Sequence, residues 1–361
     1  MHFDHFGQGL GDVMETFTEG SATAQMVCDS IFEGSRIVSI ETTFPRPFLA
    51  EFNTHCRFSR NSASSRAIPV WKRMIAVLEK PYIPNSFGVN KAGMQAGEEL
   101  SAEDQRRVVQ NWLFGRDMAI LQAYALAGGR KELLSTVKGE KSIAAAEALF
   151  DKIEQLSLDH GVQVRLQTQD RGLHKQHANR VLETYAFHTV IVTATHWRNF
   201  LGLRVSKMAQ PEACDFGTAI AKAMRASAPI ELHKSEWHLP YIRPEDRAES
   251  QGWMDLAYAS SGKCARTSYL THAGIRSLEE DISMAKGLLS NGHMSPFQHP
   301  ARPRQSGDLD GSNGNYSGKW TQLRKLIENE GDFSLLISKQ ELVEGCRGDE
   351  ELADYILSLS E

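Results

Sequence analysis

The chain alternates short β-branched stretches with longer segments of helical spacing. Residues 37 to 44, Ile-Val-Ser-Ile-Glu-Thr-Thr-Phe, read as a strand that Pro45 and Pro47 end. A helix can start at Pro47, with Phe48, Leu49, Phe52 and Cys56 along one face, which predicts a buried, inert Cys56 thiol. Val70 to Leu78 reads as a short helix, and Pro81, Pro84 and Gly88 mark a loop that runs to Gln95. Ser-Ala-Glu-Asp from Ser101 is a capping pattern for a long helix through Trp112, Leu113, Met118, Leu121 and Ala125, stopped by Gly128-Gly129. Thr189 to Thr193 is a second β-branched run, after which Trp197, Phe200 and Leu203 recur at the spacing of a core helix. Further on, Ile282, Ala285, Leu288 and Leu289 predict another buried helical face. The Gly, Ser and Asp run from Ser306 to Gly318 predicts a flexible loop, and Trp320 to Ile327 a short amphipathic helix. The acidic tail from Glu341 predicts a solvated helix docked through Leu342, Leu352, Ile356 and Leu357.

Composition narrows the class without naming it. The 361 residues, 41% hydrophobic and 24% charged, suit one large domain or two intimately packed ones with an ample core. A net charge of −5 gives no general pull toward nucleic acid or an anionic membrane, and no apolar run approaches the ~18 residues of a membrane span. Residues 1 to 35 hold no Lys or Arg, so the basic start of a signal peptide is missing and a cytoplasmic location is expected. The five cysteines are odd in number and lack metal-type spacing, which predicts reduced thiols, with no disulfide framework and no metal site.

Candidate chemistry concentrates in residues 51 to 68. There Arg57, Arg60 and Arg66 interleave with Ser59, Asn61, Ser62, Ser64 and Ser65, a set of permanent cations and short donors suited to phosphate oxygens. No Gly-rich phosphate loop accompanies it, and a solvated polar loop is the competing reading, because Ser and Asn are ordinary turn residues. In a second block, Asn199 and Arg204 sit close to the Trp197, Phe200 stripe, where a buried cation would need an anionic partner. A third block ends in Gly-His-Met-Ser-Pro-Phe-Gln-His, and its His299, taken alone, is more often structural than functional. Residues 131 to 170 are mixed and strongly charged and suggest an insertion without an assigned role.

Together these blocks resemble the flavin-dependent thymidylate synthases. Thr54-His55-Cys56, seven residues, then Ser64 is similar to the family's Arg-His-Arg, seven residues, Ser signature, with both arginines replaced and Arg57 one place later. Ser-Arg-Asn-x-x-Ser-Ser-Arg-Ala-Ile-Pro from Ser59 resembles a divergent branch often found in phages. Asn199-Phe-Leu-x-Leu-Arg204, four residues, Ala209-Gln-x-Glu212 resembles a second family motif, although Met208 stands where a flavin-contacting His is usual. Cys264 to His299 looks like the family's amino-terminal part, with Gln298 for the usual Glu. Placed last in the chain, it gives an order like a circular permutation, which is tolerated when termini lie close together at the surface.

The resemblance implies an α+β fold, a mainly antiparallel sheet flanked by helices. It would form one permuted catalytic domain over residues 1–300 with an insertion at about 67–170, followed by a loop and helical tail over 301–361. It further implies reductive methylation of dUMP at C5, with FAD, NADPH and methylenetetrahydrofolate, by a homotetramer that shares sites between subunits. Carried over residue by residue, it assigns Ser64, Ser65, Arg66, Arg180 and Arg204 to the nucleotide, Arg204 being catalytic, and His55, Arg57, Asn61, Asn199, Ser268 and His299 to the flavin. Two rival readings stand beside it: methylation or hydroxymethylation of another pyrimidine nucleotide such as dCMP, and a flavin-free binding protein on the same fold.

Overall fold

The computed structural model describes residues 15–93, 95–162, 171–269, 277–328, 330 and 337–359. Two eleven-residue strands, β2 (Ala22–Phe32) and β3 (Ser35–Pro45), form a hairpin whose two-residue turn, Glu33-Gly34, has both φ angles positive. That left-handed turn matches the twist of the strands it joins, and glycine enters it without a Cβ penalty. β1 (Thr16–Glu19) extends the hairpin, and β4 (Ser59–Ser62) and β5 (Phe187–Ala194) complete an antiparallel order β1-β2-β3-β5-β4. The short β6 (Ile230–Glu231) adds to β2 in parallel. The architecture is thus mixed α/β around a mainly antiparallel sheet, as expected. Part of the polar cluster read as a loop is an edge strand, because Ser59 to Ser62 pair with Val190 to Thr193.

Both faces of this sheet are covered, which explains why β3 lacks a clean apolar and polar alternation. Val38, Ile40 and Phe44 point to one face, where α8 (Pro211–Ala226) buries Phe216, Ala219, Ile220 and Ala223 against them. α1 (Leu49–Asn53) and α7 (Arg198–Arg204) close that face with Phe52 and Phe200. Phe44 stacks on Phe216 at 5.0 Å between ring centroids, and Phe58 lies 4.7 Å from Trp197. Two expectations fail here. α1 ends at Asn53, so Cys56 lies beyond the helix and is exposed, where helical spacing predicted a buried thiol. α7 is only two turns long and points Phe200 inward, leaving Leu203 at 54% exposure.

The second face receives the later part of the chain: α9 (Pro244–Glu249), α10 (Trp253–Arg266), α11 (Leu278–Ser290) and the 3-10 turns Thr267–Tyr269 and Ser295–Gln298. α10 and α11 pack so closely at Gly262 that a Cβ there would fall 2.2 Å from the Asp281 carbonyl oxygen. The same contact carries a fully paired buried charge group. Lys263 donates to Asp246 at 2.8 and 2.9 Å, and Arg266 Nε to Asp281 at 2.7 Å, which compensates the cost of taking four charges out of water.

The described residues between 67 and 185 build a helical layer with its own core. α2 (Val70–Glu79), α3 (Ala102–Leu126), α4 (Gly129–Ser135) and α5 (Glu140–Asp159) bury Met74, Ile120, Leu133 and Phe150, and α6 (Lys175–Ala178) leads into the 3-10 segment Asn179–Tyr185. Ser101 caps α3 as its sequence predicted, accepting from the Asp104 amide at 3.1 Å. Within the stretch to which no role was assigned, 163–170 lie outside the described residues.

The final segment departs from expectation. The run from Ser306 to Gly318 is irregular but packed: Tyr316 is buried beside Trp320, Phe32 and Ile37. Trp320 to Ile327 does not form an amphipathic helix. β8 (Trp320–Gln322) pairs with β7 (Ala301–Pro303), and a 3-10 turn, Leu323–Leu326, follows. In the tail, α12 (Lys339–Gly345) and α13 (Glu350–Ser358) contact each other, and Leu352 and Leu357 are exposed where docking was expected. Among the described residues no helix is long and apolar enough to cross a membrane.

Candidate active site

A cavity of about 560 Å³ opens where β4 ends, and its walls come from four separate parts of the chain: Asn61, Ser64, Arg66 and Ala67; His174 and Lys175; Ala265, Ser268 and Tyr269; and Leu288, His293, Ser295 and Pro296. The Ser64 amide donates to the Ser268 carbonyl at 3.0 Å, which ties the first and third of these parts together. Ser64 Oγ accepts from the Arg66 amide at 3.2 Å, holding both residues on one turn. Lys175 Nζ donates to the Ala67 carbonyl at 3.0 Å across the cavity mouth. Its charged lining residues, Arg66 and Lys175, are cations, and among the described residues no carboxylate lines it.

Of the residues expected to act, Asn61, Ser64, Arg66 and Ser268 therefore meet in one place. His299 is fully buried and reaches the cavity only through Asn61, whose amide lies 3.2 Å from its Nε2. Burial pushes the His299 imidazole down to about 3, so it is neutral at ordinary pH. Ser65 is buried and gives its hydroxyl to the Glu183 carboxylate at 2.5 Å. Glu183 also takes Arg46 and the exposed Arg180, each at 3.1 Å, so Ser65 and Arg180 are joined through one acid behind the cavity wall.

The remaining expected residues do not line this cavity. Arg204 Nε donates to His55 Nε2 at 3.1 Å, and Arg204 Nη2 to the Glu51 carbonyl at 3.3 Å. Burial, then the nearby Arg204 and Arg60 charges, lower the His55 pKa, which keeps the ring an acceptor. The anionic partner expected for Arg204 is missing among the described residues; the side chain is half-exposed at the end of α7, so water solvates it. Arg57 and Asn199 are exposed. A second cavity, about 540 Å³, includes Cys56, Arg60, Gln298, Asn315 and Gln322 in its lining. Arg60 lies over the Phe52 ring at 5.8 Å and donates to the Phe52 carbonyl at 3.2 Å.

Sequence reasoning gave no role to Lys175, His174, His293 and Ser295, although His293 and Ser295 lie within the run that ends at His299. It also missed a buried row of polar side chains beneath the cavity. His299 Nδ1 lies 2.9 Å from Thr193 Oγ1, Thr193 2.5 Å from Ser39 Oγ, Ser39 2.8 Å from His238 Nε2, and His238 Nδ1 3.0 Å from Ser30 Oγ. The signal was present in the strands, where Ser39 sits between Val38 and Ile40 and Thr193 between Val192 and Ala194. Burial pushes His238 down to about 3 as well, helped by the neighbouring His299.

No family model and no curated protein matches the chain. Among solved structures it is similar to a UMP/dUMP methylase, PolB, from Streptomyces cacaoi bound with 5-Br dUMP. The identity is 13%, over 56% of this chain and 89% of that one, with a TM-score of 0.35. A likeness of that size carries no argument about function.

Proposed function

We propose that the protein is a flavin-dependent enzyme that methylates dUMP at C5, taking the one-carbon unit from methylenetetrahydrofolate and reducing equivalents from NADPH. The observation that supports this reading is the convergence of Asn61, Ser64 and Arg66 with the sequence-distant Ser268 on one cavity whose charged lining, among the described residues, is cationic. The donor set suits a phosphate-bearing ligand: Arg66 offers a planar fork, Lys175 a point charge, and Ser64 a hydroxyl on the same turn. The neutral polar groups, Asn61, Ser268 and Ser295, suit the polar edge of a pyrimidine or of a flavin ring. FAD, when bound, supplies the hydride chemistry, while the protein binds and orients. His299, neutral and enclosed, holds Asn61 in place and moves no proton.

Arg204 and His55 belong to this reading through assembly. In a homotetramer with shared sites, the Arg204 and His55 pair of one copy would complete the cavity of another. The test is spectroscopic. Protein incubated with FAD and gel-filtered should keep a flavin spectrum that dUMP perturbs, and Arg66→Ala should weaken the dUMP response at least ten-fold while retaining flavin. Colourless protein that retains no FAD would overturn the proposal.

A further inference from the structure

The Asn61 amide stands between the cavity and the buried polar row. Three groups face it from inside: the Arg60 carbonyl at 3.2 Å, the Ser295 carbonyl at 3.1 Å and His299 Nε2 at 3.2 Å. The two carbonyls can only accept, so the amide nitrogen must turn inward, and an oxygen in its place would face the lone pairs of both carbonyls. His299 Nε2 then accepts, which puts the ring proton on Nδ1, pointing at Thr193. A hydroxyl has one proton, so the direction carries forward: Thr193 donates to Ser39, Ser39 to His238 Nε2, and His238 Nδ1–H to Ser30. Every bond in the row agrees with one orientation of Asn61, and every member from Asn61 to Ser30 is buried.

The consequence falls on the cavity side. With its nitrogen committed inward, the amide has only its oxygen left for a ligand on the cavity side. A free Asn offers both a donor and an acceptor, and can swap them for different bases. This one cannot rotate without reversing the whole row and leaving buried donors and acceptors unmatched. We infer that Asn61 is a specificity-determining residue that presents a fixed acceptor, and that the cavity selects a ring carrying an N–H at that point, as the imide N3 of uracil does and the N3 lone pair of cytosine does not. This assignment rests on the nucleotide reading of the cavity and sharpens it to uracil.

Two measurements test it. Nitrogen-15 spectra of histidine-labelled protein, assigned with His238→Gln, should show His299 and His238 both as neutral Nδ1–H tautomers; an Nε2–H tautomer at His299 would overturn the assignment whatever the ligand. Calorimetry should find dUMP bound at least ten-fold more tightly than dCMP by the wild type, with the ratio falling within three-fold in Asn61→Ala. Binding of dUMP with dCMP equal or tighter overturns the role of Asn61 alone. Failure of FAD-loaded wild type to bind dUMP overturns the nucleotide reading, and the uracil assignment with it.

Discussion

The two faces of the central sheet are held by different physics. Under α8 the contacts are aromatic and largely non-directional: Phe44, Phe52, Phe200 and Phe216 fill one another's gaps, and no single bond fixes their arrangement. On the opposite face the same strands present Ser30, Ser39, Asn61 and Thr193, and two neutral histidines join them in one hydrogen-bonded row. The first face supplies stability through area removed from water. The second returns little net energy per bond, but leaving a bond unmade is costly, so it fixes which atoms donate and which accept next to the cavity.

Acid should break that comparison most strongly. His238 and His299 are held at about 3, well below the ordinary histidine value, so between roughly pH 3 and 6.5 the unfolded chain binds more protons than the folded one. Their contribution is whole above pH 6.5 and is lost as the pH falls through that window. With both histidines taking up protons on unfolding, the row alone should contribute a drop of about 2 to 3 kcal/mol per pH unit near pH 5, to which the buried His188, also held at about 3, adds. Urea midpoints measured from pH 7 to 4 check this, and His238→Gln should show a shallower slope; parallel slopes would mean the row is not buried in solution.

At neutral pH the ranking reverses. Phe216→Ala, which removes a ring touching Phe44, Phe52 and Phe200, should cost about 3 to 5 kcal/mol in chemical denaturation. Thr193→Val keeps the shape but strips the hydroxyl between His299 and Ser39, and should cost about 1 to 3 kcal/mol. A larger loss from Thr193→Val than from Phe216→Ala would show that the polar face carries the fold.

The aromatic face was partly legible in the sequence: the β-branched runs of β3 and β5 and the Phe48, Phe52 and Trp197, Phe200 spacings each state a local preference, whereas β2 and α8, which brings Phe216 and Ile220, were not read. The polar face was not. Ser39 and Thr193 show only as single polar residues between apolar ones until His238 and His299 arrive from 199 and 106 positions away, and His238 lay in no segment with a local signal. The cavity was half legible. Asn61, Ser64, Arg66 and Ser268 were found, whereas Lys175 enters only because α6 folds back over Ala67. The misplaced elements have local causes too: Trp320 carries a helical pattern but follows a packed loop that delivers it to β7, and spacing alone could not show that α1 stops at Asn53.

That early stop sets up the smallest effect, at Cys56. A longer helix would have buried its thiol among the Phe52 group; instead it is exposed at the second cavity, while Cys264 lies fully buried on the polar face. Burial raises the Cys264 thiol far above its ordinary value and pushes Cys28 up to about 11, and since the thiolate is the reactive form, both should resist modification in the folded protein. Cys56 has access to solvent and no packing to lose. Titration with a thiol-reactive disulfide under native conditions should give a fast phase that Cys56→Ala diminishes by one thiol, the half-buried Cys214 and Cys346 reacting more slowly or alongside it, with the unfolding free energy changed by less than about 0.5 kcal/mol. An undiminished fast phase in Cys56→Ala, or a loss of several kcal/mol, would put Cys56 back inside the core and erase the distinction between this edge of the sheet and its buried faces.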